Sequence, residues 1–161
     1  MKIVRETGSH FDLGGDGARR LLEEVLSRPL FAHLATASED GPRESPVWFL
    51  WEGGALWVIG NRVTDTFPSR VAREPRCAVG VVDFDAATGR VLHVGFRGRA
   101  RLEAHDAGRM RRLLGRYMGE EARWDPRFFP ILDDEDYVFV RFEPETAVVR
   151  DQSYKRRGGR D

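Results

Sequence analysis

Apolar residues follow two different rhythms along this chain. Ala18, Leu21, Leu22, Val25 and Leu26 recur at helical intervals behind Asp16, a residue type that caps helices, and Pro29 ends the pattern. Met110, Leu113, Leu114, Tyr117 and Met118 repeat that spacing and predict a second amphipathic helix, whose stripe reads as core packing. Between and after the helices the chain breaks into short apolar runs. Leu30 to Ala37 ends in Ser38-Glu39-Asp40-Gly41-Pro42, Ser45 to Trp51 ends in Glu52-Gly53-Gly54, and Ala55 to Gly60 completes an antiparallel meander. Cys77 to Phe84 and the longer, arginine-rich Arg90 to Glu103 predict two more strands. In the latter, Gly95 and Gly98 mark a bend or a close approach of backbone. Tyr137 to Phe142 and Thr146 to Arg150 predict a final strand pair turning around Glu143-Pro144-Glu145. Thr64-Asp65 leads into a short helix or turn that closes before Glu74-Pro75, and 119–136 reads as an irregular loop packed through Trp124, Phe128 and Phe129. Runs that are apolar on both faces suit a closed or covered barrel, so the expected architecture is an α+β barrel of six or seven strands with two helices outside the hairpins.

Length, charge and cysteine content narrow the setting. The 161 residues suffice for one core, giving a single expected domain with residues 1–15 as an extension and 152–161 as a flexible basic tail. The 26 basic and 26 acidic residues cancel, so no overall field draws the chain to nucleic acid or an anionic membrane. All but two of the basic residues, Lys2 and Lys155, are arginines, whose planar forks suit phosphate and carboxylate. Cys77 is the single cysteine, which excludes an intrachain disulfide and fits a cytoplasmic setting. No apolar stretch approaches the ~20 residues of a membrane helix.

Most catalytic patterns are missing. His10, His33, His93 and His105 stand apart with no HExxH or CxxC, so no metal site is expected. There is no GxSxG elbow, Walker loop or dinucleotide glycine fingerprint. What stands out is the strand Pro46-Val47-Trp48-Phe49-Leu50-Trp51, the hairpin strand Leu56-Trp57-Val58-Ile59-Gly60-Asn61, and the polar stretch Arg62-Val63-Thr64-Asp65-Thr66. Arginine with hydroxyls at a helix start suits a phosphate, and flat apolar side chains suit the walls of a ring-shaped cofactor. The same residues also read as a helix cap, a solvated charge and plain core.

From about Leu30 to Arg150 the order and spacing of these segments, with Asp40-Gly41-Pro42, Arg73-Glu74-Pro75-Arg76 and the strand from Val94 to Leu102 around Gly98, resemble the pyridoxamine 5'-phosphate oxidase-like family of FMN-binding split barrels, including its deazaflavin branch. The resemblance implies a mainly β, α+β fold with an antiparallel split β-barrel of six to seven strands and flanking helices. It also implies a homodimer that holds FMN at the subunit interface. Val47, Trp48 and Phe49 would then lie along the flavin ring. Asn61, Arg62, Thr64, Thr66 and Arg70 would face the ribityl phosphate, and His93 stands where the oxidase branch carries a glutamine that contacts the flavin. The family's lysine at the phosphate turn is absent, since the stretch reads Thr64-Asp65-Thr66-Phe67, so Arg62 or Arg70 would have to supply the charge.

The implied activity is an FMN-dependent oxidoreductase passing electrons between a reduced nicotinamide and a small organic substrate, with no residue assigned as proton donor. Pyridoxamine phosphate itself is not the expected substrate, because Gln152-Ser153-Tyr154-Lys155-Arg156 lacks the oxidase's substrate-binding terminus. Two alternatives stand beside it: an F420-dependent oxidoreductase with the cofactor's acidic tail on Arg97, Arg99 and Arg101, and a non-catalytic flavin- or haem-binding stress protein.

Overall fold

The computed structural model describes residues 1–5 and 10–155; the basic run that follows Lys155 lies outside them. The elements are β1 (Lys2–Ile3), α1 (Gly15–Ser27), β2 (Ala32–Ser38), β3 (Gly41–Val47), β4 (Leu50–Glu52), β5 (Ala55–Asn61), α2 (Thr66–Arg73), β6 (Arg76–Asp85), β7 (Arg90–Glu103), α3 (Ala107–Met118) and β8 (Tyr137–Asp151). Three single turns of 3-10 helix, Glu121–Arg123, Pro126–Phe128 and Pro130–Leu132, occupy the stretch expected to be irregular. No helix among the described residues is long and apolar enough to cross a membrane.

All eight strands belong to one sheet in the order β3-β2-β6-β7-β8-β5-β4, antiparallel except that β1 adds to β8 in parallel. The sheet is not closed by hydrogen bonds, yet its two ends are consecutive in sequence. Only Trp48 and Phe49 separate β3 from β4, so three Cα steps, about 11 Å at full stretch, must carry the chain from one end of the sheet to the other. The sheet therefore curls until its ends face across a seam, which is the split of a split barrel.

Two apolar clusters hold this shape. Inside the curl, Leu34, Val79, Val81, Val94, Phe96 and Phe142 pack with Phe49, and α1 contributes Ala18, Leu22, Val25 and Leu26 from its predicted stripe. On the other side of β5 and β8, Met110, Leu113 and Leu114 of α3 meet Trp57, Phe139, Trp124 and Leu132. Each deeply buried Leu or Phe contributes roughly 1.5–3 kcal/mol.

Several expectations are corrected in detail. Asp16 sits inside the first turn of α1 while Gly14 occupies the cap, where the negative charge still favours the helix terminus. The run from Ser45 to Trp51 is broken by the seam. The final strand pair is one strand: Glu143-Pro144-Glu145 forms a bulge within β8, where Gly98 pairs with Pro144 and Arg97 with Thr146. A proline cannot complete a ladder, and Gly98 opposite it has no side chain to obstruct the kink. Gln152 N donates to Val91 O at 2.8 Å, and Tyr154 N donates to Gly89 O at 2.9 Å.

Candidate cofactor cleft

The seam is pinned from outside by α3. The Tyr117 hydroxyl accepts a hydrogen bond from Phe49 N at 3.0 Å and donates to Leu30 O at 2.7 Å, tying the link to the segment between α1 and β2. Burial pushes the Tyr117 phenol upward, so it stays protonated as this role requires. Trp48 is held between two rings: that of Tyr117 at 4.6 Å and 3°, and that of Phe128 at 5.6 Å and 16°. With both faces covered, Trp48 offers a ligand its edge. Phe49 points the other way and is fully buried in the barrel core, with the Arg116 guanidinium 4.9 Å from its ring.

Beside Trp48 runs a groove of about 370 Å³ whose walls include Pro46, Val47, Ile59, Phe67 and Leu113. Asp65 and Tyr137 also border it. Its apolar lining results from geometry: Pro46 and Trp48 lie on either side of Val47 at the end of β3, and Ile59 comes from β5 across the split.

The turn from Asn61 to Asp65 is closed on itself. Asn61 Oδ1 accepts from Val63 N at 2.9 Å and Thr64 N at 3.0 Å, and Asp65 Oδ2 accepts from Asn61 N at 2.7 Å. Asp65 N donates back to Asn61 O, while Arg62 N donates to Asp136 O, both at 2.9 Å. Five successive amides are thereby used within the protein. The Arg62 side chain is also engaged, since its Nε donates to Asp136 Oδ1 at 2.9 Å. That pair is more than two-fifths exposed on both sides, so it is weak and exchangeable. Thr64 is exposed beside it.

Arg70 differs from every other arginine near the cleft. It is 8% exposed, its Nε donates to Thr36 Oγ1 at 2.8 Å, and its Nη1 donates to Thr66 Oγ1 at 2.6 Å. Thr66 opens α2 and is exposed, so the guanidinium runs from the interior to the surface at the helix start. Gly60 makes room for this arrangement. Phe67 and Pro68 lie directly over it, and any Cβ there would come within 2.7 Å of the Phe67 ring.

His93 occupies another part of the sheet. In β7 it pairs with Val82 on β6 and Arg150 on β8, next to the in-register glycines Gly80 and Gly95. Its imidazole lies over those glycines: a Cβ on Gly95 would meet it at 3.1 Å and one on Gly80 at 3.9 Å. Arg150 Nη1 lies 3.5 Å from Nδ1, while Arg150 Nε donates to the buried Asp12 at 2.8 Å. The groove here, about 550 Å³, is also lined by Arg5, Arg97 and Val148. Farther along β7, Arg101 is committed to Glu103 and Glu143 at 2.8 and 3.1 Å.

Of the nine residues singled out from sequence, Val47 and Trp48 thus border the seam groove and Phe49 lies in the core. Asn61, Arg62 and Thr64 build the turn, Thr66 and Arg70 form a bonded pair at the start of α2, and His93 belongs to a second groove. Sequence reasoning missed Tyr117, Phe128 and Thr36. Thr36 alone left a trace, as a hydroxyl in the inward alternation Ala32, Leu34, Thr36. Tyr117 was concealed within an ordinary core stripe.

For a flavin, the fit is favourable at the ring and relocated at the phosphate. An apolar groove with few polar groups suits the ring, and of the two arginines expected at the phosphate, Arg62 is paired with Asp136 whereas Arg70, among the described residues, bonds only to hydroxyls.

Comparison with known proteins bears on the family and the fold. The sequence profile described as pyridoxamine 5'-phosphate oxidase matches residues 19–151. Among solved structures, a conserved hypothetical protein from Mycobacterium tuberculosis superposes with a TM-score of 0.70 at 18% identity, over 96% of this chain and 98% of its own. An F420 reductase is similar at 27% identity and a TM-score of 0.59, over 78% of this chain and 94% of its own. A FAD- and haem-binding protein from Mycobacterium smegmatis shares the fold at 15% identity and a TM-score of 0.68, over 92% of this chain and 77% of its own. No curated protein matches the sequence. With a seam groove framed by the strands on which the resemblance rests, and the profile covering most of its length, the chain belongs to the pyridoxamine 5'-phosphate oxidase family.

Proposed function

We propose that this protein is a flavin-dependent oxidoreductase that binds FMN in the seam groove and passes electrons between a reduced nicotinamide and a small organic substrate other than pyridoxamine phosphate. The observation that carries this is the apolar groove beside Trp48, bounded by the turn that precedes α2, in a chain of this family. When bound, the flavin supplies reversible two-electron chemistry, and the protein's part is position, electrostatics and exclusion of water. Val47 and Ile59 would flank the ring, the clamped edge of Trp48 would fix its place, and Phe128 and Leu113 would limit access of water.

The functional unit is a homodimer. Gly80 and Gly95 flatten the outer surface of β6 and β7, while Val82 and Phe84 stay exposed nearby; a second copy of the chain would cover this surface. His93 on that surface would complete the site of the neighbouring protomer.

A second reading, with the deazaflavin F420 as cofactor, is favoured by the 27% identity to an F420 reductase. The purified protein should be yellow and release FMN on denaturation, and it should oxidise NAD(P)H steadily with a suitable acceptor. Fluorescence titration of the cofactor-free protein separates the readings: tighter F420 than FMN binding selects the deazaflavin, and a colourless protein indifferent to both rejects the assignment. Flavin binding without NAD(P)H oxidation under any acceptor would select the non-catalytic alternative.

A further inference from the structure

We propose that His33, oriented by Glu44, is the proton donor for reduction of the organic substrate: its Nε2 hands a proton to an acceptor that takes a hydride in the adjoining groove. The proposal rests on the oxidoreductase reading above, which leaves the proton unassigned. It narrows the substrate class to acceptors whose reduction consumes a proton, such as a conjugated carbonyl.

Strand register places the residue. Along β2, Ala32, Leu34 and Thr36 are buried, so His33 between them stands on the outer face of the sheet. It pairs with Pro46 on β3 and with Gly80 on β6, and Gly80 pairs in turn with Gly95 on β7. Pro46 is a wall of the seam groove, as is Phe31 two positions before His33, whereas Gly80 and Gly95 line the groove that His93 borders. Residues directly opposite on neighbouring strands lie about 5 Å apart. His33 therefore stands on the ridge between the two grooves, next to a lining residue of each.

With Glu44 it has the form of an acid-base dyad. Nδ1 of His33 lies 2.5 Å from Glu44 Oε1, and because an ionised carboxylate can only accept, Nδ1 carries the hydrogen and donates it. Nε2 makes no hydrogen bond among the described residues, and it is the nitrogen left to give or take a proton. Both side chains are about half exposed, and a pair so exposed adds little to stability. Packing does not account for it either, since Gly80 directly across and Ala35 and Ala78 beside it offer little side chain to pack against. The other ring systems differ: both nitrogens of His105 are bonded to the carbonyls of Tyr137 and Leu132, and His93 has a guanidinium rather than a carboxylate beside its Nδ1.

Reduction of a conjugated double bond adds a hydride to one end and moves the electron pair of that bond to the other, which then takes a proton. The nicotinamide gives up the hydride by way of the flavin and is oxidised by two electrons, and the acceptor gains both. The proton comes from Nε2, the neutral imidazole stays bonded to Glu44 through Nδ1, and water restores the proton after product release. The second copy of the chain that would cover this face keeps water from replacing the imidazole during the step.

Two measurements test this. In the cofactor-free protein, nitrogen-15 NMR of the neutral ring should show His33 as the Nδ1–H tautomer, and Glu44→Ala should abolish that preference. In the flavin-loaded protein, reduced anaerobically with dithionite, single-turnover reoxidation by 1,4-benzoquinone, which takes up a hydride and a proton, is compared with reoxidation by ferricyanide, which takes up electrons alone. His33→Gln should slow the benzoquinone reaction by roughly 10- to 100-fold and leave the ferricyanide reaction and flavin affinity unchanged. Glu44→Ala should slow it less, and added imidazole should restore part of the rate in His33→Ala.

An Nε2–H tautomer in the wild type, a His33→Gln protein as fast with benzoquinone as the wild type, or equal slowing with both oxidants would each overturn the proposal while leaving the flavin reading intact. So would a wild type that binds flavin and reduces ferricyanide but not benzoquinone. A protein that binds no flavin at all fails the oxidoreductase reading first, and the proton donor with it.

Discussion

Replacing Gly60 by alanine tests how the candidate site is assembled, because this residue is where β5 supports α2. The added Cβ would lie 2.7 and 2.9 Å from two atoms of the Phe67 ring and 3.0 Å from Pro68 Cγ. Carbon atoms rest at about 3.5–4.0 Å, so ring and helix start must withdraw by roughly 1 Å. Neither neighbour has an easy escape: Phe67 and Pro68 are both buried, and the proline ring is fixed in the first turn. Overpacking of this kind costs about 1–3 kcal/mol. For a chain of this size that is a fall in Tm of roughly 3–10 °C, read by circular dichroism without ligand. The displacement also draws Arg70, one turn further along α2, away from Thr36 on β2, so the preference for FMN over riboflavin should decline in parallel. Phe67→Leu, which shortens the obstructing side chain, should recover most of the loss in the Gly60→Ala background while costing stability alone. Melting of Gly60→Ala within about 1 °C of the wild type, or additive losses in the double variant, would refute the packing argument.

Two further outcomes follow from ionic contacts. Asp83 is 3% exposed and joins the C-terminal end of α1 to β7 through Arg28 and Arg90, the latter at 2.6 Å. Asp83→Asn should lower stability by about 1–3 kcal/mol with an unchanged urea m-value, the partial exposure of both arginines keeping it below the cost of a fully sealed pair. A loss under about 0.5 kcal/mol would contradict that role. Hydrogen bonds from the side chain and backbone of Arg76 hold the Glu74 carboxyl at about 2, well below its ordinary 4.5. A carboxyl lowered by folding stabilises the native state above pH 4.5 and loses that effect as pH falls toward 2. The difference in Tm between the wild type and Glu74→Gln should therefore shrink across that window, and a constant difference would exclude the linkage.

The helical stripes of α1 and α3, the strands flanking them and the short helix after Asn61 were legible because each depends on periodicity within a dozen residues. Glu143-Pro144-Glu145 misled for the same local reason. A proline between acids reads as a turn, and only the bare backbone of Gly98 across the ladder turns it into a bulge within one strand. The seam was illegible too, since Trp48 and Phe49 look like the middle of an apolar run until the curl of the sheet sends one ring out to Tyr117 and the other into the core.

At the site, the sequence by itself settled the chemical vocabulary: hydroxyls and arginines between Arg62 and Arg70, aromatic residues at 48 and 49, and no lysine on the turn. Tertiary structure alone decided which of them remain available. Arg62 is claimed by Asp136, 74 residues away in sequence, whereas Arg70 is gripped by a hydroxyl 34 residues away and, among the described residues, by no carboxylate. Residue type determines what a group can bind, and local pattern determines the element that carries it. Whether its charge is already met depends on which distant segments the folded chain brings within about 4 Å, where electrostatic partners are chosen.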